Sequence, residues 1–218
     1  MFAQTLFVQW KWNRDFLAAF TIVAFVVPIV VLWIALPHLA LASARELVTT
    51  GGVVGVTVAG IAVVAGLTIA WQGYGIDDRL GHIYALSLPV TRARSLAMRA
   101  ATASLLLVLP TIAVWIGATL ALSQATLPSN LQSYAGSLAL RAMLASWLAH
   151  SCMFALRYAA GRRARGILGL LAAVTILLAL LAVIAPATRD VIARVGDFLS
   201  STPGPFGVVF GRWTLIDV

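Results

Sequence analysis

"GGVVGVTVAGIAVVAGLTIAW", residues 51–71, runs twenty-one residues without a charge. As a helix at about 1.5 Å per residue it covers roughly 30 Å, the hydrocarbon thickness of a bilayer. Glycine and small residues interrupt it without breaking it, as is common in membrane helices and costly in soluble ones. A chain that keeps such a stretch folded has lipid, not water, around it. The spacing of Gly51, Gly55 and Ala59, followed by Gly66, puts small residues on a ridge that lets a second helix approach closely, within the bundle or across a dimer.

The rest of the chain agrees. Of 218 residues, 61% are hydrophobic and 10% charged, where a soluble domain has about 45–50% apolar and about 25% charged residues. Mean hydropathy is +0.99. Four further stretches are long and apolar enough to span, so the expected spans are 16–36, 52–71, 96–122, 137–156 and 166–185. The fold class expected is an all-α integral membrane protein, a polytopic helical bundle forming one membrane domain over residues 1–218.

Ahead of the first span, residues 1–15 mix Phe2, Leu6, Phe7 and Trp10 with Gln4, Gln9, Lys11 and Arg14. This pattern predicts a short helix lying at the membrane interface, with Trp10 and Trp12 as headgroup anchors. No cleavable signal pattern is visible there. Residues 187–218 mix charges with Val191, Ile192, Val195, Phe198 and Leu199, which predicts an amphipathic segment on the outer surface, leading to a sixth span beyond Val218. Pro28 and Pro110 are expected to kink their helices.

Orientation follows from the cations. The N-terminal segment and the loops between spans two and three and between spans four and five hold ten of the fifteen Lys and Arg residues. The positive-inside rule then puts the N-terminus in the cytoplasm. The net charge of +8 is accounted for by this bias, and no basic stripe outside the loops points to nucleic acid. The single cysteine, Cys152, permits no internal disulfide and is expected to be a buried, inert residue.

Chemistry is sparse. His38, His82 and His150 lie at different levels, so they form no paired haem or metal ligand set. Ser146 and His150 are neighbours through helical spacing alone, with no third member and no oxyanion site. No acidic residue sits mid-span, and no phosphate-binding loop is present, so the chain is not expected to hydrolyse nucleotide or to be an enzyme.

The informative segment joins spans two and three: "WQGYGIDDRLGHIYALSLPVTRARSLAMR", residues 71–99. Asp77 and Asp78 look like acids at the start of a short helix whose apolar face is Leu80, Ile83, Tyr84 and Leu86. Pro89 ends that helix, Thr91 caps the next, and Arg92, Arg94 and Arg99 hold its start at the headgroups. An acidic pair, then Arg, Gly, a short amphipathic run, "LSLPVTR" and a basic re-entry resembles the permease subunit of ABC-2 type transporters.

The resemblance implies that residues 76–90 form a cytoplasmic coupling helix. Asp77, Asp78, Arg79, Gly81, Tyr84, Leu86, Pro89 and Arg92 would be its contact or shape-defining residues against an ABC ATP-binding subunit. It further implies an interfacial elbow helix at the N-terminus, six spans and a second permease subunit, identical or related. ATP and Mg²⁺ would be bound by the partner, with no cofactor in this chain. The setting implied is a prokaryotic plasma membrane, that is, a bacterial inner membrane. The function implied is export of a hydrophobic or amphiphilic substrate by alternating access. Asp and "GH" stand where members commonly carry a glutamate-bearing "E…GT" signature, and five spans are visible where the family has six. The alternative reading is a structural or assembly subunit of a membrane complex, or a haem-bearing redox subunit.

Overall fold

In the computed structural model the described residues are 2–39, 44–79, 91–123, 131–160, 163, 166–171, 173–174, 177, 190, 194, 198 and 215–217. The main helices are α1 (Phe2–Leu39), α2 (Ala44–Arg79), α3 (Arg92–Leu106), α4 (Val108–Ser123) and α5 (Ala135–Ala160). Two short strands, β1 (Gln132–Ser133) and β2 (Ile216–Asp217), form one antiparallel ladder. Four stretches are long and apolar enough to cross a membrane: Phe2–Ile34, Val48–Gly73, Ala93–Ser123 and Ala135–Ala159. The protein is therefore a helical membrane protein. Of the fifth expected span, residues 166–171, 173, 174 and 177 are helical, and the remainder of 166–185 lies outside the described residues.

Two compact units divide the chain: Met1–Phe154 with Arg212–Val218, and Ala155–Gly211. In the first, α1 packs most extensively against α4 and α2 and less against α3. Leu17, Ala65, Ile69, Ala103, Leu106 and Leu107 form its core, with Leu6, Phe20 and Trp147 packed around them. Trp147 donates from Nε1 to the Ser104 carbonyl at 3.1 Å, tying α5 to α3. In the second unit, Asp190, Arg194 and Phe198 are helical and exposed, while Arg157 is buried.

The expected division of residues 1–36 into an interfacial helix and a span is not seen, because α1 runs unbroken over 38 residues. The reason is on its buried face. Thr5, Gln9, Asn13, Leu17, Ala24, Pro28 and Leu32 form a single stripe, mostly four residues apart. Its first three members are polar yet turned inward, whereas Phe2, Phe7, Trp10 and Phe16 are exposed. Polar residues of the first fifteen thus fall on both sides of α1: Thr5, Gln9 and Asn13 are packed inward, while Gln4, Lys11 and Arg14 are exposed.

The third span divides into α3 and α4 at Leu107. Pro110 has no N–H for the carbonyl four residues back, at Leu106, so the helical ladder breaks just before it. Thr111 Oγ1 donates to the Leu107 carbonyl at 3.0 Å and satisfies part of the disrupted turn. Pro28 leaves α1 helical throughout. Thr91 caps α3 as expected: its backbone is extended, and its hydroxyl accepts from the Arg94 N–H at 3.4 Å. Cys152 is exposed, contrary to expectation. The inward stripe of α5 passes through Ala149, His150 and Met153 and leaves position 152 on the opposite side.

The ladder was not anticipated from the sequence. Gln132 pairs with Asp217, and Ser133 with Ile216. The Tyr134 N–H donates to the Leu215 carbonyl at 2.9 Å, and the Leu215 N–H to the Gly51 carbonyl at 3.3 Å. Leu215 and Ile216 are fully buried, so the C-terminal residues clasp the starts of α2 and α5.

Candidate functional site

The segment resembling a coupling helix is described only at its borders. Asp77, Asp78 and Arg79 are helical and belong to the last turn of α2, which corrects their placement at the start of a separate helix. The helix of α2 runs on past the apolar stretch 51–71 through residues 72–79, and neither Gly73 nor Gly75 ends it. Gly81, Tyr84, Leu86 and Pro89 lie outside the described residues, and Arg92 opens α3.

The small residues of α2 are placed in full. A Cβ at Gly66 would meet the Ser146 carbonyl of α5 at less than any real contact, and would come within 3.0 Å of the His150 nitrogen and 3.1 Å of the Ala149 Cβ. At Gly51 it would come within 2.9 Å of the Ile216 nitrogen. Gly55 is buried and Ala59 half-buried. Gly51 and Gly66 thus take close neighbours from within the chain. Two glycines outside that ridge do the same: a Cβ at Gly73 would come within 3.2 Å of the Gln9 Oε1, and Gly117 lies against the Phe25 carbonyl of α1. Gly52 and Gly60 have open space beside them.

Polar side chains gather on the buried faces. Asn13 Nδ2 donates to the Gln9 carbonyl at 2.9 Å and to Gln9 Oε1 at 3.3 Å, while Asn13 Oδ1 has no partner. Asn13 is 0% exposed. On α5, Ser146 and His150 are buried one turn apart. Ser146 Oγ donates to the Met143 carbonyl at 2.8 Å and so makes no dyad with the imidazole. The His150 ring stacks on Phe154 at 5.9 Å. The Gly66 carbonyl approaches it, but neither ring nitrogen reaches hydrogen-bonding geometry. Next to Ser146 a small cavity of about 10 Å³ is lined by Ala24, Val58, Ala62, Pro110, Thr111 and Ala142 among others.

This arrangement can donate and accept hydrogen bonds inside the bundle. It does not assemble a nucleophile with a base, and among the described residues no three His, Cys, Asp or Glu side chains come close enough to hold a metal. His38 lies near the end of α1 and His82 falls outside the described residues. The sequence points to His150 and to Gln9 as part of an interfacial polar face, and gives Asn13 no role. The signal that Gln9 and Asn13 turn inward is a strict four-residue spacing from Thr5 that continues into Leu17.

Comparison with protein-family models, with curated proteins and with solved structures gave no match.

Proposed function

We propose that this chain is the transmembrane permease subunit of an ABC-2 type exporter, driven by a separate ATP-binding subunit that docks on residues 76–90. The observation that carries the reading is the segment "DDRLGHIYALSLPVTR", residues 77–92. It starts in the last described turn of α2, at Asp77, and ends at Arg92, which opens α3 behind the Thr91 cap. A loop that only joined two antiparallel helices would need two to eight residues and no such mix of charge, tyrosine and leucine. Four apolar helices of spanning length support the membrane setting.

On this reading the loop side is cytoplasmic, the chain pairs with a second permease subunit, and closure of the ATPases on ATP moves α2 and α3 through the segment that joins them. The substrate is hydrophobic or amphiphilic, because no acidic side chain is buried among the described residues to meet a cation. The test is co-expression with the P-loop ATPase encoded nearest to it, followed by purification through a tag on this chain. Recovery of the ATPase with the full chain, and its loss on deleting residues 81–89 while the four-helix unit stays folded, is the expected result. Equal recovery with the deletion would remove the docking role.

A further inference from the structure

We propose that the Gly66–Gly73 face of α2, closed by Gln9 and Asn13 of α1 and by Ser146 and His150 of α5, is a binding seam for the uncharged protic head group of an amphiphile, a hydroxyl or an amide. Gly66 and Gly73 are seven residues apart, so they share one face of α2 about 10.5 Å apart along its axis. Each receives a polar neighbour: the α5 backbone at Ser146 and His150 comes against Gly66, and the Gln9 amide comes against Gly73. Asn13, one turn from Gln9 and bonded to it, extends the seam.

Three atoms on the seam are buried without a hydrogen-bond partner: Asn13 Oδ1, His150 Nδ1 and His150 Nε2. Their residues are 0% and 3% exposed. Leaving such atoms unpaired is costly, and native proteins resolve it with a bound group or a functional role. A carboxamide oxygen accepts, and a neutral imidazole both donates and accepts. The complement is a group that does both. Gln9, Asn13, Ser146 and His150 include no carboxylate, ammonium or guanidinium, and an ion placed among them would lose its hydration for no paired charge. An uncharged hydroxyl or amide carries no such penalty. The water-sized cavity at Ser146 is lined mainly by apolar side chains and does not reach Gln9, Asn13 or His150, so the head group enters only where the helices part. The seam needs only the membrane bundle, not the ATPase partner; where the exporter reading holds, it gives the cargo's head group.

The test uses the purified full chain in detergent micelles and a twelve-carbon primary alcohol bearing a diazirine beside the hydroxyl, with a hydrocarbon carrying the diazirine at the same carbon as control. The alcohol is expected to label residues 9–17, 66–73 or 146–154 after irradiation, with dodecan-1-ol competing and dodecane not. Combining Asn13→Leu with His150→Phe should cut the competed labelling about three- to tenfold, the loss expected for hydrogen bonds to a neutral group. Labelling confined to outward positions such as Trp33 and Trp115, or equal competition by dodecane, overturns the proposal. So does labelling that the folded double variant leaves unchanged. Should that variant not fold, the labelling map and the competition on the unaltered chain decide.

Discussion

Gly66→Ala isolates the tightest approach found at a described glycine. The new Cβ would overlap the Ser146 carbonyl and crowd the His150 nitrogen and the Ala149 Cβ. Two of these three are backbone atoms of a helix, which cannot swing aside as a side-chain tip can. Overpacking of this kind costs about 1–3 kcal/mol. Alanine returns part of that through its helix propensity, about 1 kcal/mol over glycine, so the net loss is about 0–2 kcal/mol. Gly60→Ala provides the reference, because nothing lies within 4 Å of its Cβ position. It should gain the propensity term alone and be neutral or slightly stabilised. The difference between the two variants is then the overpacking cost itself. At about 2–4 °C per kcal/mol for a chain of this size, thermal unfolding in one detergent should separate them by about 2–12 °C, with Gly66→Ala the lower. Coincident melting of the two would show that α2 and α5 do not meet at Gly66, and the seam built on that contact would go with it.

Three further outcomes are expected. Gly51→Val puts a branched side chain against the Ile216 backbone; it should release Leu215–Asp217, read as faster labelling of an Ile216→Cys thiol than in a Gly51 background. Thr91→Ala removes the hydroxyl that accepts from Arg94, a loss of about 0.5–2 kcal/mol at a helix start. It should raise amide exchange at residues 92–95 without altering α4. Pro110→Ala restores an N–H for the Leu106 carbonyl and should protect that turn from exchange, joining α3 to α4; unchanged exchange there would mean that the break at Leu107 has another cause.

Much of this fold can be read in the sequence because lipid imposes a simple rule: about twenty apolar residues make a span. The stretches 52–71 and 137–156 lie within α2 and α5, and 96–122 lies within the pair divided by Pro110. Thr91 was legible because a cap is a local hydrogen bond. The first fifteen residues misled because their polar residues do not share one face: Gln4, Lys11 and Arg14 are exposed, and Thr5, Gln9 and Asn13 are packed. Thr5, Gln9 and Asn13 look solvent-facing until Gly73 and the rest of α2 are brought against α1. Cys152 was misplaced because apolar neighbours in sequence indicate lipid as readily as core. The clasp of Leu215–Asp217 on Gly51 joins residues far apart in the chain, and two-residue strands carry no periodicity to find. The seam at Gln9, Asn13 and His150 is hidden for the same reason, since its members meet only once the helices pack.

Docking of an ATPase on the segment between α2 and α3 is addressed most directly by a photo-crosslinker at Tyr84. With the full chain in its native membrane, irradiation is expected to yield one dominant adduct containing a P-loop ATP-binding protein. That adduct should weaken when Leu86→Asp is added to break the apolar face. An adduct only with lipid, or only with proteins lacking a nucleotide-binding loop, would contradict the exporter reading and favour a structural subunit of another membrane complex.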